Sequence, residues 1–145
     1  MEETDATKAI AEATSTLLHS IGENTSRDGL LDTPNRVARM WMELTTGLRT
    51  PPPKVTTFEV DKNDEMVTVF DIDYSSLCEH HLVPFVGRAH IGYLPYKRLA
   101  GLSKLARVVD YYDRRPQIQE AMTAQIADYL MKELEPAGIM VVVEG

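Results

Sequence analysis

Three consecutive prolines in "RTPPPKV", residues 49–55, constrain the fold of this chain more than any other sequence feature. A proline run fits neither a helix interior nor a central strand, so it forms a stiff, extended connection. Apolar residues recur at helical spacing before it and at the two-residue spacing of strands after it. We therefore expect an N-terminal helical arm over residues 1–50 and a main domain over residues 51–145.

Two helices are predicted in the arm. The first covers residues 5–21, where the apolar side chains form a single stripe. The second begins with Thr33 as its N-cap and Pro34 at its first helical position, and Gly47 is placed to end it.

The main domain is predicted to begin with two antiparallel strands. In "MVTVFDIDY", residues 66–74, the side chains of Phe70, Ile72 and Tyr74 alternate with aspartates, which is typical of a half-buried strand. The segment "FVGRAHIGYL", residues 85–94, alternates in the same way and is predicted to be the second strand.

Two amphipathic helices and a third strand complete the domain. Pro116 is predicted to open the second of these helices, and the chain turns at Gly138 into the last strand. The order β-β-α-α-β predicts an α+β protein. The apolar faces of the two helices consist of Leu105, Val108, Val109 and Tyr112, and of Ile118, Met122, Ile126, Tyr129 and Leu130.

Charge and composition exclude several classes of function. The net charge of −7 argues against nucleic-acid binding, which needs a broad basic face, but a local cluster of Lys and Arg can still hold a small anion. No apolar run approaches the roughly 20 residues of a membrane span, and the acidic N-terminus lacks a signal-peptide pattern. A single cysteine excludes an internal disulfide and favours a cytoplasmic protein.

The connection between the two predicted strands, "SSLCEHHLVPF", contains the only cysteine. Cys78 and His81 have the C-x-x-H spacing with which a turn brings a thiolate and an imidazole onto one zinc ion. The alternative is a small buried cysteine beside polar loop histidines. In a locally extended chain His80 would point away from His81 and be free to transfer protons, while Glu79 either orients an imidazole or faces water.

Two further segments carry polar groups suited to a nucleotide. In "GLSKLARVV", Ser103 is predicted to be an N-cap, with Lys104 and Arg107 nearby. A helix N-terminus with two cations suits a phosphate group. The alternative is a solvated basic face on an amphipathic helix. Arg36 and Arg39 either add charge to the same anion or face water.

The segment "RPQIQE" places an amide and a carboxylate early in the last helix. Gln119 and Glu120 can together read the N–H donors of a purine edge. The alternative explanation is that the carboxylate only benefits from the helix dipole.

These motifs, in this order, resemble the GTP cyclohydrolase I family over residues 32–145: "DTPNRVARMW", "CEHH", "GLSKLAR" and "RPQIQE". The resemblance implies the T-fold, in which an antiparallel sheet carries a helix pair on one face and subunits join their sheets into a ring, a homo-oligomer of decamer type. It also implies zinc-dependent opening of the imidazole ring of GTP, which yields formate and 7,8-dihydroneopterin triphosphate for pterin and tetrahydrofolate synthesis.

The resemblance implies a role for each matching residue. These roles are zinc ligation by Cys78 and His81, proton transfer by His80, ribose and rearrangement chemistry by Ser103, guanine recognition by Glu120 with Gln119, and triphosphate binding by Lys104 and Arg107 with Arg39 as a further candidate.

Two other functions remain open alongside this one. One is a non-catalytic T-fold protein that binds a purine or pterin without a complete zinc site. The other is the related nitrile reductase of the deazapurine pathway, although adjacent histidines after Cys78 fit a metal site better than that enzyme's nucleophilic cysteine.

The family's zinc site needs a further ligand. Family members carry a His-x-Cys segment after the third strand, and the present sequence stops at Gly145. We expect the 145-residue chain to fold and assemble but to hold zinc weakly and turn over GTP poorly, and an extended chain to recover both properties.

Overall fold

The computed structural model describes residues 3–61 and 65–145. The chain divides into two compact units, Met1–Thr45 and Thr46–Gly145. None of the helices in the described ranges combines the length and the apolar character needed to cross a membrane. In chain order the elements are α1 (Glu3–Ser20), α2 (Thr33–Leu44), a 3₁₀ turn (Thr46–Leu48), β1 (Thr57–Glu59), β2 (Val67–Cys78), β3 (Pro84–Leu94), β4 (Arg98–Ala100), α3 (Leu102–Asp113), β5 (Pro116–Gln117), α4 (Gln119–Leu134) and β6 (Gly138–Glu144).

The first unit contains the two predicted helices, α1 and α2, which contact each other. The N-cap of α2 is Asp32 rather than the predicted Thr33. The Thr33 N–H donates to the Leu30 carbonyl over 3.0 Å, so the chain has already turned at Thr33 and the cap lies one residue earlier. The helix also ends at Leu44, before the predicted Gly47, which belongs to the separate 3₁₀ turn.

The second unit is built on a four-stranded sheet with the order β5-β2-β3-β6. The predicted antiparallel pairing of β2 with β3 is confirmed, β6 pairs antiparallel with β3, and β5 pairs parallel with β2. Strands β1 and β4 form a separate antiparallel pair. The sequence did not predict β1, β4 or β5, because strands of two or three residues are too short to show a period.

Helices α3 and α4 pack on one face of this sheet. Their apolar stripes meet the inward-facing residues of β2 and β3, including Ala89, Ile91 and Tyr93, in one continuous core. The opposite face exposes Val86 and Met140, which are 70% and 65% accessible. An antiparallel hairpin and its neighbours with a helix pair on one face form the predicted α+β T-fold, preceded by a helical arm.

A β-bulge in β2 corrects one predicted position. Phe70 was expected on the buried face with Ile72 and Tyr74, but its side chain is 65% exposed while theirs are 9% and 4% exposed. The register with β3 shifts between Val69 and Ile72, and Asp71 has a left-handed φ of 56°. The inserted residue reverses the alternation, so Phe70 lies on the other face.

The starts of α3 and α4 also differ from the prediction. The N-cap of α3 is Gly101, whose extended backbone places Ser103 inside the first turn. Pro116 does not open α4; it lies in β5, because the backbone of Pro116 and Gln117 pairs with β2, and α4 begins at Gln119.

Candidate metal and purine site

The tip of the β2–β3 hairpin is a tight turn that begins and closes at Cys78. The Cys78 N–H donates to the Val83 carbonyl over 2.9 Å, and the Leu82 N–H donates to the Cys78 carbonyl over 2.7 Å. Leu82 has a left-handed φ of 59°, which lets the chain reverse within five residues. The turn therefore holds the cysteine and both histidines in a small space.

The Cys78 thiol lies beside two imidazoles. Its Sγ is 3.9 Å from Nδ1 of His80 and 4.0 Å from Nδ1 of His81. The expectation that the two histidines diverge was wrong, because it assumed an extended chain and residues 79–81 form a turn. His80, His81 and Cys78 thus form one cluster, called the thiol–imidazole cluster below.

Hydrogen bonds in this turn lower the pKa of the Cys78 thiol. The backbone N–H of His80 makes the largest contribution, followed by the His80 imidazole and the backbone N–H of His81. Each favours the thiolate, which is the form that binds metal. On the other side of His80, its Nε2 lies 4.0 Å from Oε1 of Glu79, so this carboxylate is placed to orient the imidazole.

The spacing of these donors fits a zinc ion as a partial ligand set. Sulfur and nitrogen bound to one tetrahedral zinc at about 2.3 Å and 2.1 Å lie roughly 3.6 Å apart. The Cys78–His81 separation of 4.0 Å is close to that value. Within residues 3–61 and 65–145, no group of three or more His, Cys, Asp or Glu side chains is arranged to hold a metal.

The thiol–imidazole cluster is joined directly to the start of α4. Cys78 pairs with Gln117 across the parallel β2–β5 ladder, and the Glu79 N–H donates to the Gln117 carbonyl over 3.1 Å. Gln119 and Glu120, the two predicted purine-reading residues, follow at once in the first turn of α4. The structure therefore places the predicted metal ligands and the predicted guanine ligands at neighbouring strand ends.

Gln119 and Glu120 offer different groups to a ligand. The Gln119 amide nitrogen donates to the Val143 carbonyl of β6 over 2.8 Å, so its carbonyl oxygen is the group available to a ligand. The Glu120 side chain is exposed at the helix N-terminus.

The predicted phosphate-binding residues lie at the other end of α3. Ser103, Lys104 and Arg107 occupy its first two turns, whereas its last residue, Asp113, contacts β2 near the thiol–imidazole cluster. At 1.5 Å per residue, Ser103 lies about 15 Å along the helix axis from Asp113. The basic start of α3 is thus remote from the thiol–imidazole cluster, which lies near the end of this helix.

Arg36 and Arg39 belong to the first unit, where both face Asp32. Their guanidinium groups lie 3.2 Å and 3.6 Å from its carboxylate. These ion pairs are exposed, so they contribute little to stability.

Three buried polar residues close to the cluster were not predicted. Ser76, Asp113 and Gln117 are 2%, 4% and 3% exposed. Ser76 follows Ile72 and Tyr74 at the two-residue spacing of the buried face, and Asp113 follows Val109 by four residues on the apolar stripe of α3. For Ser76 and Asp113, the signal was a polar residue at a position where the periodicity of the element predicts a buried apolar side chain.

The fold and the site together define the class: a T-fold protein whose central hairpin carries metal-type donors beside a carboxylate at a helix start. The family described as GTP cyclohydrolase I matches residues 10–145. The chain is 52% identical over 148 residues to "GTP cyclohydrolase 1" of Listeria monocytogenes, covering 100% of this chain and 77% of that protein. It is 54% identical over 139 residues to the protein of that name from Thermobifida fusca, covering 94% of this chain and 67% of that protein. The chain belongs to the GTP cyclohydrolase I family and is a hydrolase.

Proposed function

We propose that this protein hydrolyses the imidazole ring of GTP, releasing formate and yielding 7,8-dihydroneopterin triphosphate, with zinc as its cofactor. The observation that supports this reaction most directly is the thiol–imidazole cluster, in which a thiol of lowered pKa lies within 4.0 Å of two imidazole nitrogens. The family to which the chain belongs supports the same reaction.

Cys78 and His81 would hold the zinc ion, which when bound supplies Lewis-acid polarisation for hydrolysis. His80 is exposed beside them and can donate a proton to a purine nitrogen as the ring opens, or accept one. The Glu79 carboxylate lies 4.0 Å from its Nε2 and is placed to orient the imidazole for this proton transfer.

Substrate recognition is divided between two helix starts. The Glu120 carboxylate and the free carbonyl oxygen of Gln119 accept hydrogen bonds from the N–H groups on the guanine edge. Lys104 and Arg107 balance the charge of the triphosphate at the start of α3, and the Ser103 hydroxyl serves the ribose.

A homo-oligomer accounts for the separation of these groups along α3. The basic start of that helix is about 15 Å from its anchored end, so a second copy can supply it to the cluster of the first. Strands β5 and β6 are the outer strands of the sheet, and β6 offers its free edge for strand pairing between copies. We propose a ring-forming assembly of decamer type in the cytoplasm, and a monomer mass in light scattering at micromolar concentration would refute it.

The reaction is tested by following formate release from GTP while zinc is titrated into the metal-free protein. Formate release that depends on zinc in the wild type and is lost in Cys78→Ala supports the assignment. The matched control is Ser75→Ala, which removes one exposed side-chain atom from the same strand. Equal activity of Cys78→Ala and the control would contradict it.

A non-catalytic purine- or pterin-binding protein is the second candidate. It is favoured because, among the described residues, no three His, Cys, Asp or Glu side chains are arranged to hold one metal ion. Binding of GTP without formate release, at any zinc concentration, would establish this function instead.

A further inference from the structure

Ser76 links strand β2 to the loop between α3 and α4. Its side chain is 2% exposed, and its hydroxyl lies 2.6 Å from the Asp113 carbonyl and 3.0 Å from the Arg115 carbonyl. One hydroxyl proton is thus shared between two backbone acceptors at the end of α3. No role in metal or substrate binding explains a buried hydroxyl at this position.

Two hydrogen bonds donated by backbone N–H groups flank the Ser76 hydroxyl and join the same two segments. The Ser75 N–H donates to the Asp113 carboxylate over 3.2 Å, and the Glu79 N–H donates to the Gln117 carbonyl over 3.1 Å. The parallel strand β5 between them contains only Pro116 and Gln117, and Pro116 has no N–H to contribute. A two-residue strand with one proline is a weak connection by itself, so the hydroxyl carries much of the attachment.

The attachment determines how far apart the two parts of the proposed site lie. Ser76 precedes Cys78 by two residues, and its acceptors Asp113 and Arg115 precede Gln119 and Glu120 by a few residues. We propose that Ser76 is a positioning residue that fixes the thiol–imidazole cluster against the guanine-reading start of α4. This inference rests on the proposed function for its catalytic consequence, although the attachment itself does not depend on it.

The attachment is tested first by amide hydrogen exchange on the metal-free, nucleotide-free protein. In Ser76→Ala we expect exchange of the Glu79 amide to accelerate by roughly ten- to a hundredfold, because two buried carbonyls lose their donor. In Ser75→Ala, whose side chain is exposed and whose N–H remains, exchange should stay within about twofold of the wild type. An unchanged Glu79 amide in a folded Ser76→Ala protein overturns the proposal.

The wild type supplies a measurement that does not depend on a variant's folding. The Ser75 and Glu79 amides lie on either side of Ser76, and both donate to residues 113–117. If Ser76 holds the two segments as one unit, these amides open together and show protection factors within about threefold of each other. Protection that differs by tenfold or more refutes a single unit.

The catalytic consequence is tested by steady-state kinetics with GTP and zinc. A displacement near 1 Å between reacting groups costs about a hundredfold, so Ser76→Ala should lower kcat by roughly ten- to a hundredfold and change KM by less than about threefold. Ser76→Thr keeps the hydroxyl and should restore kcat to within about threefold of the wild type.

Each kinetic result has a clear meaning for the proposal. An equal loss of kcat in Ser76→Thr, or a raised KM with unchanged kcat, contradicts positioning through the hydroxyl. If the wild type releases no formate, the proposed function fails while the exchange measurement still decides the role of Ser76.

Discussion

Replacing Asp113 by asparagine should change how stability depends on pH. The Asp113 side chain is 4% exposed, its Oδ2 accepts the Ser75 N–H, and its Oδ1 has no hydrogen-bond partner. The pKa of this carboxyl is raised from 3.8 to about 7, chiefly by burial; the Ser75 N–H opposes the rise, nearby Asp110 adds to it, and Arg114 opposes it.

The direction of the effect follows from this raised pKa. Between about pH 4 and pH 7 the folded protein keeps a proton on Asp113 that the unfolded chain has lost, so stability falls as pH rises across this window. A difference of about 3 pKa units corresponds to roughly 4 kcal/mol in total, at about 1.4 kcal/mol per unit. About 2 to 3 kcal/mol of this loss falls between pH 5 and pH 8.

Asparagine resembles the protonated acid, because it keeps an oxygen for the Ser75 N–H and carries no charge. We therefore measure the free energy of unfolding in urea for wild type and Asp113→Asn at equal protein concentration. Relative to the wild type, the variant should gain about 2 to 3 kcal/mol of stability between pH 5 and pH 8. Asp128→Asn is the matched control, since it makes the same substitution at an exposed position of α4. Parallel pH profiles for wild type and Asp113→Asn would refute the reasoning.

Three further predictions concern recognition and packing. Glu120→Gln should weaken GTP binding by about 1–3 kcal/mol and reduce the preference for GTP over ATP, measured by isothermal titration, because one acceptor for the guanine N–H groups becomes a donor; an unchanged preference would mean that another residue reads guanine. Lys104→Ala should weaken binding of any nucleoside triphosphate and reduce its dependence on salt, measured from 0.05 to 0.5 M NaCl; an unaltered salt slope would place the triphosphate elsewhere. Gly47→Ala should destabilise the fold by about 1–3 kcal/mol in urea unfolding, since an added Cβ would overlap the Tyr111 carbonyl. Gly138→Ala is the control, because a Cβ there meets open space and should not destabilise the fold. Equal stability of the two variants would show that the backbone at Gly47 shifts at little cost.

The long periodic elements could be predicted from the sequence because burial imposes their spacing. Ala89, Ile91 and Tyr93 alternate without interruption, and they are buried as the pattern predicts. The prediction that Phe70 is buried was wrong because the bulge at Asp71 adds one residue to the strand. The sequence "FDID" alternates regularly and does not show this extra residue. Local sequence does not show where a bulge reverses a strand's faces.

The residue types of the candidate site could be predicted from the sequence, but their arrangement could not. The C-x-x-H spacing indicated Cys78 and His81, but the turn that also brings His80 to the thiol depends on a left-handed residue, Leu82, that no sequence rule favours. The pairing of β2 with a two-residue β5 joins segments far apart in the sequence, so the link from the cluster to Glu120 needed the structure.

The parallel pairing of Leu77 with Pro116 also sets an order of assembly during folding. The β2–β3 hairpin closes through a short local turn, whereas β5 can join β2 only after the whole of β3, β4 and α3 has been synthesised and brought back. Contacts between residues far apart in sequence form more slowly than local ones, because a longer loop must be closed. We therefore expect the hairpin of a chain emerging from the ribosome to bring its thiol and imidazoles together first. The proposed metal ligands are then in place before the proposed guanine-reading start of α4.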